Sequence, residues 1–134
     1  MTKGAPRYSK QDKFRDPRTG GRGNCMQYAV AGLLNLPPAQ VPNFIEAVIE
    51  HKSPEAEMQD FFNQKGFYLV EIDFSEKLEL DCLHLAVGPA PRGCHHMVVM
   101  EGDRLVWDPH PSDAGLTTIE RVFVPVPFDV SQKL

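Results

Sequence analysis

One cysteine, a pair of histidines and one aspartate have the types and the order that thiol-based hydrolysis requires. Cys25 lies at the predicted start of an apolar helix, where free N–H groups and the helix dipole stabilise a thiolate. His95 and His96 open a predicted strand, and Asp108 ends the strand that follows. A thiolate can attack a carbonyl, a histidine can move the proton, and a carboxylate can orient the histidine. If the fold brings them together, these residues form a nucleophile, its base and its orienter.

The turn between the two strands decides which histidine faces Asp108. Opposed residues in a hairpin share a face, and so do residues two positions away. A two-residue loop at 102–103 gives that face to His95, whereas a three-residue loop at 102–104 gives it to His96. One residue of register exchanges the two candidates, so spacing leaves both open.

The other cysteines and histidines have simpler interpretations. Cys82 lies in a strand-like stretch and Cys94 lies on a loop, and neither position favours a thiolate. His51 ends a predicted helix, where a cation suits the dipole, and His84 alternates within a strand. His110 stands between two prolines, and we expect it at the rim of the site.

Helix signals come first along the chain and strand signals follow. Asn24 is a good N-cap and Gln27 completes a capping box, so a helix is expected to begin at Cys25 and to be buried on several faces. Further helices are predicted over 42–51 and from 53 to about 66, and strands over 67–73, 83–87, 95–100, 105–108 and 117–126. This order predicts an α+β fold with N-terminal helices packed on a C-terminal antiparallel sheet.

The bulk composition fits one soluble domain. The 134 residues are 42% hydrophobic and 24% charged, and a chain of about this length buries roughly 70% of its unfolded surface. No apolar run approaches the ~20 residues of a membrane span, and no apolar signal core opens the sequence. Three cysteines without such a signal indicate reduced thiols, so a cytoplasmic location is expected and a membrane partner is not.

Basic charge is concentrated at the N-terminus. Residues 1–22 carry seven basic and two acidic side chains, a net charge of +5, and the remaining residues carry −9. We interpret 1–22 as a flexible basic arm and 23–134 as a single folded domain. Nucleic acid is not favoured as a partner, because the arm lacks interleaved aromatic residues and the rest of the chain is acidic.

Four short motifs together resemble a known superfamily. They are Gly-Asn-Cys at 23–25, Gly-Pro-Ala-Pro-Arg-Gly at 88–93, His-Met-Val-Val at 96–99 and Asp-Pro-His-Pro-Ser at 108–112. In these motifs the chain is similar to small bacterial and phage proteins of the papain-like cysteine peptidase superfamily, nearest in style to bacteriocin-leader (double-glycine) peptidases. The likeness extends to about residue 116 and implies that 23–134 is a papain-like catalytic domain.

The resemblance implies a role for each candidate. The superfamily order is cysteine, histidine, then asparagine or aspartate, and its histidine directly precedes the apolar core of a strand. Cys25 would then be the nucleophile, His96 the base and acid, and Asp108 the orienter. The same pattern favours His96 over His95, which would then belong to the rim of the site.

The sequence departs from the superfamily at one position. Relatives often carry a glutamine six residues before the cysteine, as an oxyanion-hole donor, and this chain has Thr19 there. Asn24 or Gln27 is the expected substitute. Loss of one such donor typically costs about 10²–10³ in rate.

The predicted function is a thiol-dependent hydrolase, a cysteine peptidase or amidase acting through an acyl-enzyme. Peptides or proteins are the first substrates to expect, and small amides, deamidation or acyl transfer would use the same residues. No cofactor and no metal is expected.

Two alternatives belong to other classes. The first is a catalytically weak or inactive papain-like module that holds a partner with its cleft or its basic arm. The second is a zinc site built from Cys94, His95, His96 and His110. Adjacent strand residues point to opposite faces, which disfavours the zinc site.

Overall fold

The computed structural model describes residues 10–14, 23–45, 53–73 and 81–129. Within them, two α-helices pack on a five-stranded antiparallel sheet, so the predicted α+β class is confirmed. The helices are α1 (Cys25–Leu34) and α2 (Pro54–Gln64), with a short 3₁₀ helix (Pro38–Gln40) between them. The strands are β1 (Phe67–Asp73), β2 (Leu83–Pro89), β3 (His95–Glu101), β4 (Arg104–Trp107) and β5 (Arg121–Pro127), in the spatial order β1-β5-β2-β3-β4.

Helix α1 begins where it was expected, but without the expected capping box. The Oδ1 atom of Asn24 accepts the backbone N–H of Lys13 at 3.2 Å, and its Nδ2 atom donates to Asp12 at 2.8 Å. The side-chain amide of Gln27 donates to the carbonyl of Pro38 at 3.0 Å. Asn24 makes no side-chain bond to its own helix. The capping-box prediction is therefore wrong, because neighbouring segments recruit both side chains.

Helix α1 is buried on several faces, as its sequence predicts. Its buried residues are Met26, Ala29, Val30, Ala31, Gly32 and Leu33. The helix ends at Asn35, whose left-handed φ of 59° suits asparagine better than most residues. It packs against β2 and β3. The strand that begins with the paired histidines therefore lies beside the helix that begins with Cys25.

Helix α2 also follows its sequence signals. The Ser53 hydroxyl accepts the backbone N–H of Ala56 at 3.1 Å, and a proline occupies the first turn. Met58, Phe61 and Phe62 are buried and form the apolar stripe that faces the core. The helix is anchored by its residue Gln59, whose amide exchanges two hydrogen bonds with the backbone of β1.

The helix predicted over 42–51 is not seen in the part that the structure describes. Residues 42–45 are not helical, and 46–52 lie outside the described residues. A 3₁₀ turn at Pro38–Gln40, which is not among the predicted elements, precedes this region. Phe44 is nevertheless fully buried and stacks edge-on against Phe61, so the segment still contributes to the core.

All five predicted strands are present; β1 has the predicted bounds, and the other four have shifted ends. Strand β2 continues to Pro89, and β5 begins only at Arg121. The residues just before β5 instead form a loop against the end of β2, where the N–H of Thr117 donates to Pro89 at 2.7 Å. A Cβ atom on Gly88 would stand 2.0 Å from the carbonyl oxygen of Thr118, so only glycine fits there.

Apolar residues cover both faces of the sheet. The larger cluster joins the helices to one face, and a smaller one lies on the other face. The smaller cluster consists of Ala86, Val98, Met100 and Val122, with Ile72, Leu116, Ile119 and Val124 packed against it. Leu116 and Ile119 belong to the loop between β4 and β5, so this loop packs against the smaller cluster. Among the described residues, no helix has the length and apolar character needed to cross a membrane.

Candidate active site

The structure brings Cys25, His96 and Asp108 to one place. Cys25 is the first residue of α1 and is half-buried. His96 is the second residue of β3, and Asp108 directly follows β4. The side chains of His96 and Asp108 are 2% and 0% exposed. The site therefore combines an accessible thiol with a histidine and a carboxylate that are shielded from water.

A short hydrogen bond joins the histidine to the carboxylate. The Nε2 atom of His96 donates to Oδ1 of Asp108 at 2.7 Å. Because Nε2 is committed to this bond, Nδ1 is the ring nitrogen left for Cys25. The bond fixes both the orientation and the tautomer of the imidazole.

Three donors hold the carboxylate of Asp108 in its ionised form. Oδ1 also accepts the backbone N–H of His110, and Oδ2 accepts that of Gly115, both at 2.8 Å. Burial alone would raise the pKa of this carboxyl, but the bonds from His96, His110 and Gly115 outweigh it and lower the pKa to about 2. Asp108 is therefore a permanent anion near neutral pH.

The environment of His96 favours its charged form. Burial opposes the imidazolium, but the hydrogen bond to Asp108, the charge of that carboxylate and the polar interaction with the Cys25 side chain outweigh burial and raise the pKa of His96 to about 9. The imidazolium and the carboxylate form a buried ion pair beside the sulfur of Cys25. This arrangement can hold a proton ready for transfer at Nδ1.

The hairpin loop alone would have selected the other histidine. The loop has two residues, because Glu101 pairs with Arg104. A regular ladder continued from that turn would place His95 on the face of Asp108. His95 instead lies 2.8 Å from Glu120 through its Nε2 atom and is 63% exposed.

A β-bulge in β4 moves Asp108 to the face of His96. The observed pairs are Met100 with Leu105 and Val99 with Trp107. Val106 is thus an extra residue, and beyond it the register is displaced by one. Continuing the displaced pairing sets Asp108 opposite Val98, so that His96 is its diagonal neighbour on the same face.

The two predicted oxyanion donors are engaged elsewhere. The amide nitrogen of Asn24 donates to Asp12, and that of Gln27 donates to Pro38. Thr19, which replaces the superfamily glutamine, lies outside the described residues. The backbone N–H of Cys25, in the first turn of α1, is the kind of group that a helix leaves without an internal partner.

His110 lies at the rim, as expected. Its ring meets that of His96 edge-on with centroids 6.1 Å apart, and it meets the ring of Phe14 edge-on with centroids 5.3 Å apart. Ser112 donates its backbone N–H to Nδ1 of His110 at 3.0 Å. Burial, then the nearby cations of Arg92 and His96, lower the pKa of His110. A neutral imidazole and a partly exposed phenyl ring thus border the candidate site.

Residues 10–14, which were predicted to belong to the basic arm, lie beside the site. Lys10 donates from Nζ to the carbonyls of Asp108 and His110, and the N–H of Gln11 donates to the carbonyl of Pro109. The sequence of this stretch is distinguished by its positive charge, and charge alone does not predict hydrogen bonds to the backbone after β4. Residues 1–9 and 15–22 lie outside the described residues.

The remaining cysteines and histidines take structural or peripheral places. Cys82 is exposed and Cys94 is half-buried. His84 is buried and its Nδ1 atom lies 2.9 Å from the carbonyl of Cys82, as a satisfied sheet residue would. His51 lies outside the described residues.

The described residues contain no group of three or more histidine, cysteine or acidic side chains placed to hold a metal ion. His95, His96 and His110 each face a different partner: Glu120, Asp108 and Ser112.

When this chain is compared with family models, with curated proteins and with solved structures, none of the three comparisons gives a match.

Proposed function

We propose that this chain is a thiol hydrolase with a papain-like catalytic domain, a cysteine peptidase or amidase. The observation that carries the proposal is the chain of contacts from Cys25 through His96 to Asp108. A half-buried thiol, a buried imidazole and a buried carboxylate are arranged in the order of a nucleophile, a base and an orienter. The sequence motifs that resemble the papain-like superfamily supply these same three residues.

The reaction would begin from a thiolate–imidazolium pair, in which Nδ1 of His96 holds the proton and the sulfur of Cys25 is deprotonated. An imidazolium beside the sulfur favours the thiolate, which is the nucleophilic form of cysteine. The sulfur of Cys25 then attacks the carbonyl carbon of an amide or thioester. A carbon–sulfur bond forms, and the carbonyl electron pair moves to oxygen.

Collapse of that intermediate would release the first product. The carbon–oxygen double bond re-forms, and the bond to the leaving nitrogen or sulfur breaks. The leaving group takes the Nδ1 proton of His96, which leaves an acyl group on Cys25. Neutral His96 next draws a proton from water as it attacks the acyl carbon. The carboxylic acid departs, and the thiolate–imidazolium pair is restored.

Asp108 would orient the histidine and remain ionised throughout. Its bond to Nε2 keeps Nδ1 directed at the sulfur, and its negative charge stabilises the imidazolium. The bonds from His110 and Gly115 hold its two oxygens in place through the cycle. Such preorganised polar groups need little rearrangement as charge moves in the site.

A binding module with little or no activity is the second candidate. It is favoured by one observation, that the side-chain amides of Asn24 and Gln27 already have acceptors within the chain. The backbone N–H of Cys25 would then be the main donor to the oxyanion, and the rate would fall by about 10²–10³ for the missing donor. The module would retain the cleft and use it to hold a partner.

Intact-mass measurement during turnover tests the proposal. The protein is mixed with thioester and activated amide or ester substrates of peptides and of small acids, and an acyl adduct is sought. We expect the adduct on wild type and on Cys82→Ala, the matched control with an exposed cysteine. We expect none on Cys25→Ala. Equal turnover by wild type and Cys25→Ala would overturn the proposal, and absence of any adduct or turnover on wild type would favour the binding module.

A further inference from the structure

Lys10 makes three hydrogen bonds to the loop that follows β4. Its Nζ atom donates to the carbonyl of Asp108 at 2.8 Å and to that of His110 at 3.0 Å, and it also donates to the carboxylate of Asp113. The same atom lies 4.4 Å from the centre of the Trp107 ring. An ammonium group has three N–H donors, and here all three have acceptors. The side chain is only about one-third exposed, at 32%.

The residues after Lys10 carry the connection on to the nucleophile helix. The N–H of Gln11 donates to the carbonyl of Pro109 at 2.9 Å. Further along, Asn24 donates its N–H to the carbonyl of Lys13 at 3.2 Å and accepts the N–H of Lys13 on Oδ1 at the same distance. Residues 10–14 therefore form a strap from the loop of Asp108 to the residue before Cys25.

We propose that Lys10 is a positioning residue, which fixes the carboxylate of Asp108 against His96 and, through the strap, aligns that pair with Cys25. The two carbonyls that Lys10 binds lie on either side of the turn at Pro109. Within this turn the N–H of His110 bonds back to the carboxylate of Asp108. The ammonium group of Lys10 thus bonds to two carbonyls of this turn, while the carboxylate of Asp108 accepts a backbone N–H within it. The consequence for catalysis, though not the positioning itself, rests on the proposed function.

Two possible roles of Lys10 predict opposite changes in the pKa of His96 when Lys10 is removed. One role is to act on His96 through its positive charge alone, and the other is to position Asp108. Loss of a cation near His96 would favour the imidazolium and raise the pKa of His96. Loss of the positioning bonds would let the carboxylate of Asp108 move away from Nε2, and the pKa of His96 would fall. The other groups that face His96 are Cys25 from α1 and His110 from the loop, with Arg92 acting on His110.

The test is an NMR titration of the His96 imidazole in the full chain carrying Lys10→Met. We expect the pKa of His96 to fall from about 9 by roughly one unit or more, toward its ordinary value of 6.5. Lys13→Met removes an equal charge from the same strap but leaves the backbone bonds to Asn24 in place, and it should leave the titration unchanged. Asp113→Asn weakens only the exposed ion pair, and it should behave like Lys13→Met. A pKa that rises or stays the same in Lys10→Met would overturn the proposal.

A second variant keeps the test decisive should Lys10→Met fail to fold. Lys10→Gln retains a two-hydrogen amide donor, and we expect a smaller fall in the pKa of His96 with the same sign. No fall in Lys10→Gln would then overturn the proposal. Because the titration needs no substrate, its result is independent of turnover. A fallen pKa in a protein that never forms an acyl adduct would support the positioning role and refute only the proposed hydrolase.

Discussion

The Nε2 atom of His96 lies 2.7 Å from Oδ1 of Asp108, and almost nothing of either side chain is exposed to solvent. Such a pair tolerates poorly the loss of one member, because the partner is left as an uncompensated buried charge at a cost of about 3–5 kcal/mol. The pair also determines that Nδ1 is the atom of His96 that can hold a proton beside Cys25.

Replacement of Asp108 by asparagine should strongly reduce activity. The amide can still accept the N–H of His110, but it carries no charge to stabilise the imidazolium and no longer enforces the tautomer. Changes of this kind in comparable triads cost up to about 10⁴ in kcat. Steady-state kinetics on the substrate identified by acyl-adduct formation measure the loss. Asp113→Asn is the matched control on the same loop, and an equally large loss there would contradict the assignment.

Stability should depend on pH through the same pair. The pKa of His96 is raised from 6.5, its value in the unfolded chain, to about 9 in the folded protein. Its contribution to stability is therefore complete below pH 6.5 and is lost as the pH rises through 9. The pKa of Asp108 is lowered to about 2, so its contribution is complete above 3.8 and is lost as the pH falls through 2. Both contributions are complete between about pH 4 and pH 6.5.

Urea unfolding at pH 5.5 and pH 9.5 checks that window. We expect Asp108→Asn to lower the free energy of unfolding by about 3 kcal/mol at pH 5.5, where His96 is charged. The difference from wild type should shrink at pH 9.5, where His96 is neutral. A difference of the same size at both pH values would show that the ion pair is not its cause.

Removal of the thiol should alter the titration of His96. The polar interaction of His96 with the Cys25 side chain favours the imidazolium. In Cys25→Ala the pKa of His96 should therefore fall below its wild-type value of about 9 but stay above 6.5, because Asp108 remains. An NMR titration of the ring protons measures this change, with Cys94→Ala as the control. An unchanged pKa in Cys25→Ala would show that sulfur and imidazole are not coupled.

Gly88→Ala should destabilise the protein by steric conflict. The new Cβ atom would lie 2.0 Å from the carbonyl oxygen of Thr118, and overpacking of this kind costs typically 1–3 kcal/mol or more. Gly88 also pairs with His96, so the strain would fall directly beside the site. Thermal unfolding measures the loss. Gly93→Ala is the comparison, since its open surroundings leave only the cost of a positive φ, and it should be the milder change.

The sequence predicts the helices and strands of this fold well where local signals are strong. A serine cap with a proline in the first turn marks α2, and the burial of Met58, Phe61 and Phe62 follows its 3.6-residue period. The start of α1 is also found correctly, although the role of Asn24 is not. An asparagine before a helix has several possible partners, and here a distant segment supplies them.

The site itself depends on features that no local pattern encodes. Val106 does not differ in type from a regular strand residue, yet as the extra residue of a bulge it decides between His95 and His96. Lys10 looks like one basic residue among several in a charged stretch. Two of its three acceptors are backbone carbonyls about a hundred positions away, and residue types along the sequence do not indicate which carbonyls will be available.

The rate of alkylation of Cys25 at low pH tests the central claim most directly. The protein is treated with iodoacetamide between pH 5 and pH 9, and each cysteine is quantified by peptide mass spectrometry. An ordinary thiol is mostly protonated at pH 6 and reacts slowly there, whereas a thiolate held beside an imidazolium still reacts. We expect Cys25 at pH 6 to react at least about tenfold faster than exposed Cys82, and to lose this advantage in Asp108→Asn. Modification of Cys25 at pH 6 no faster than that of Cys82 or Cys94 would contradict the assignment of Cys25 as an activated nucleophile.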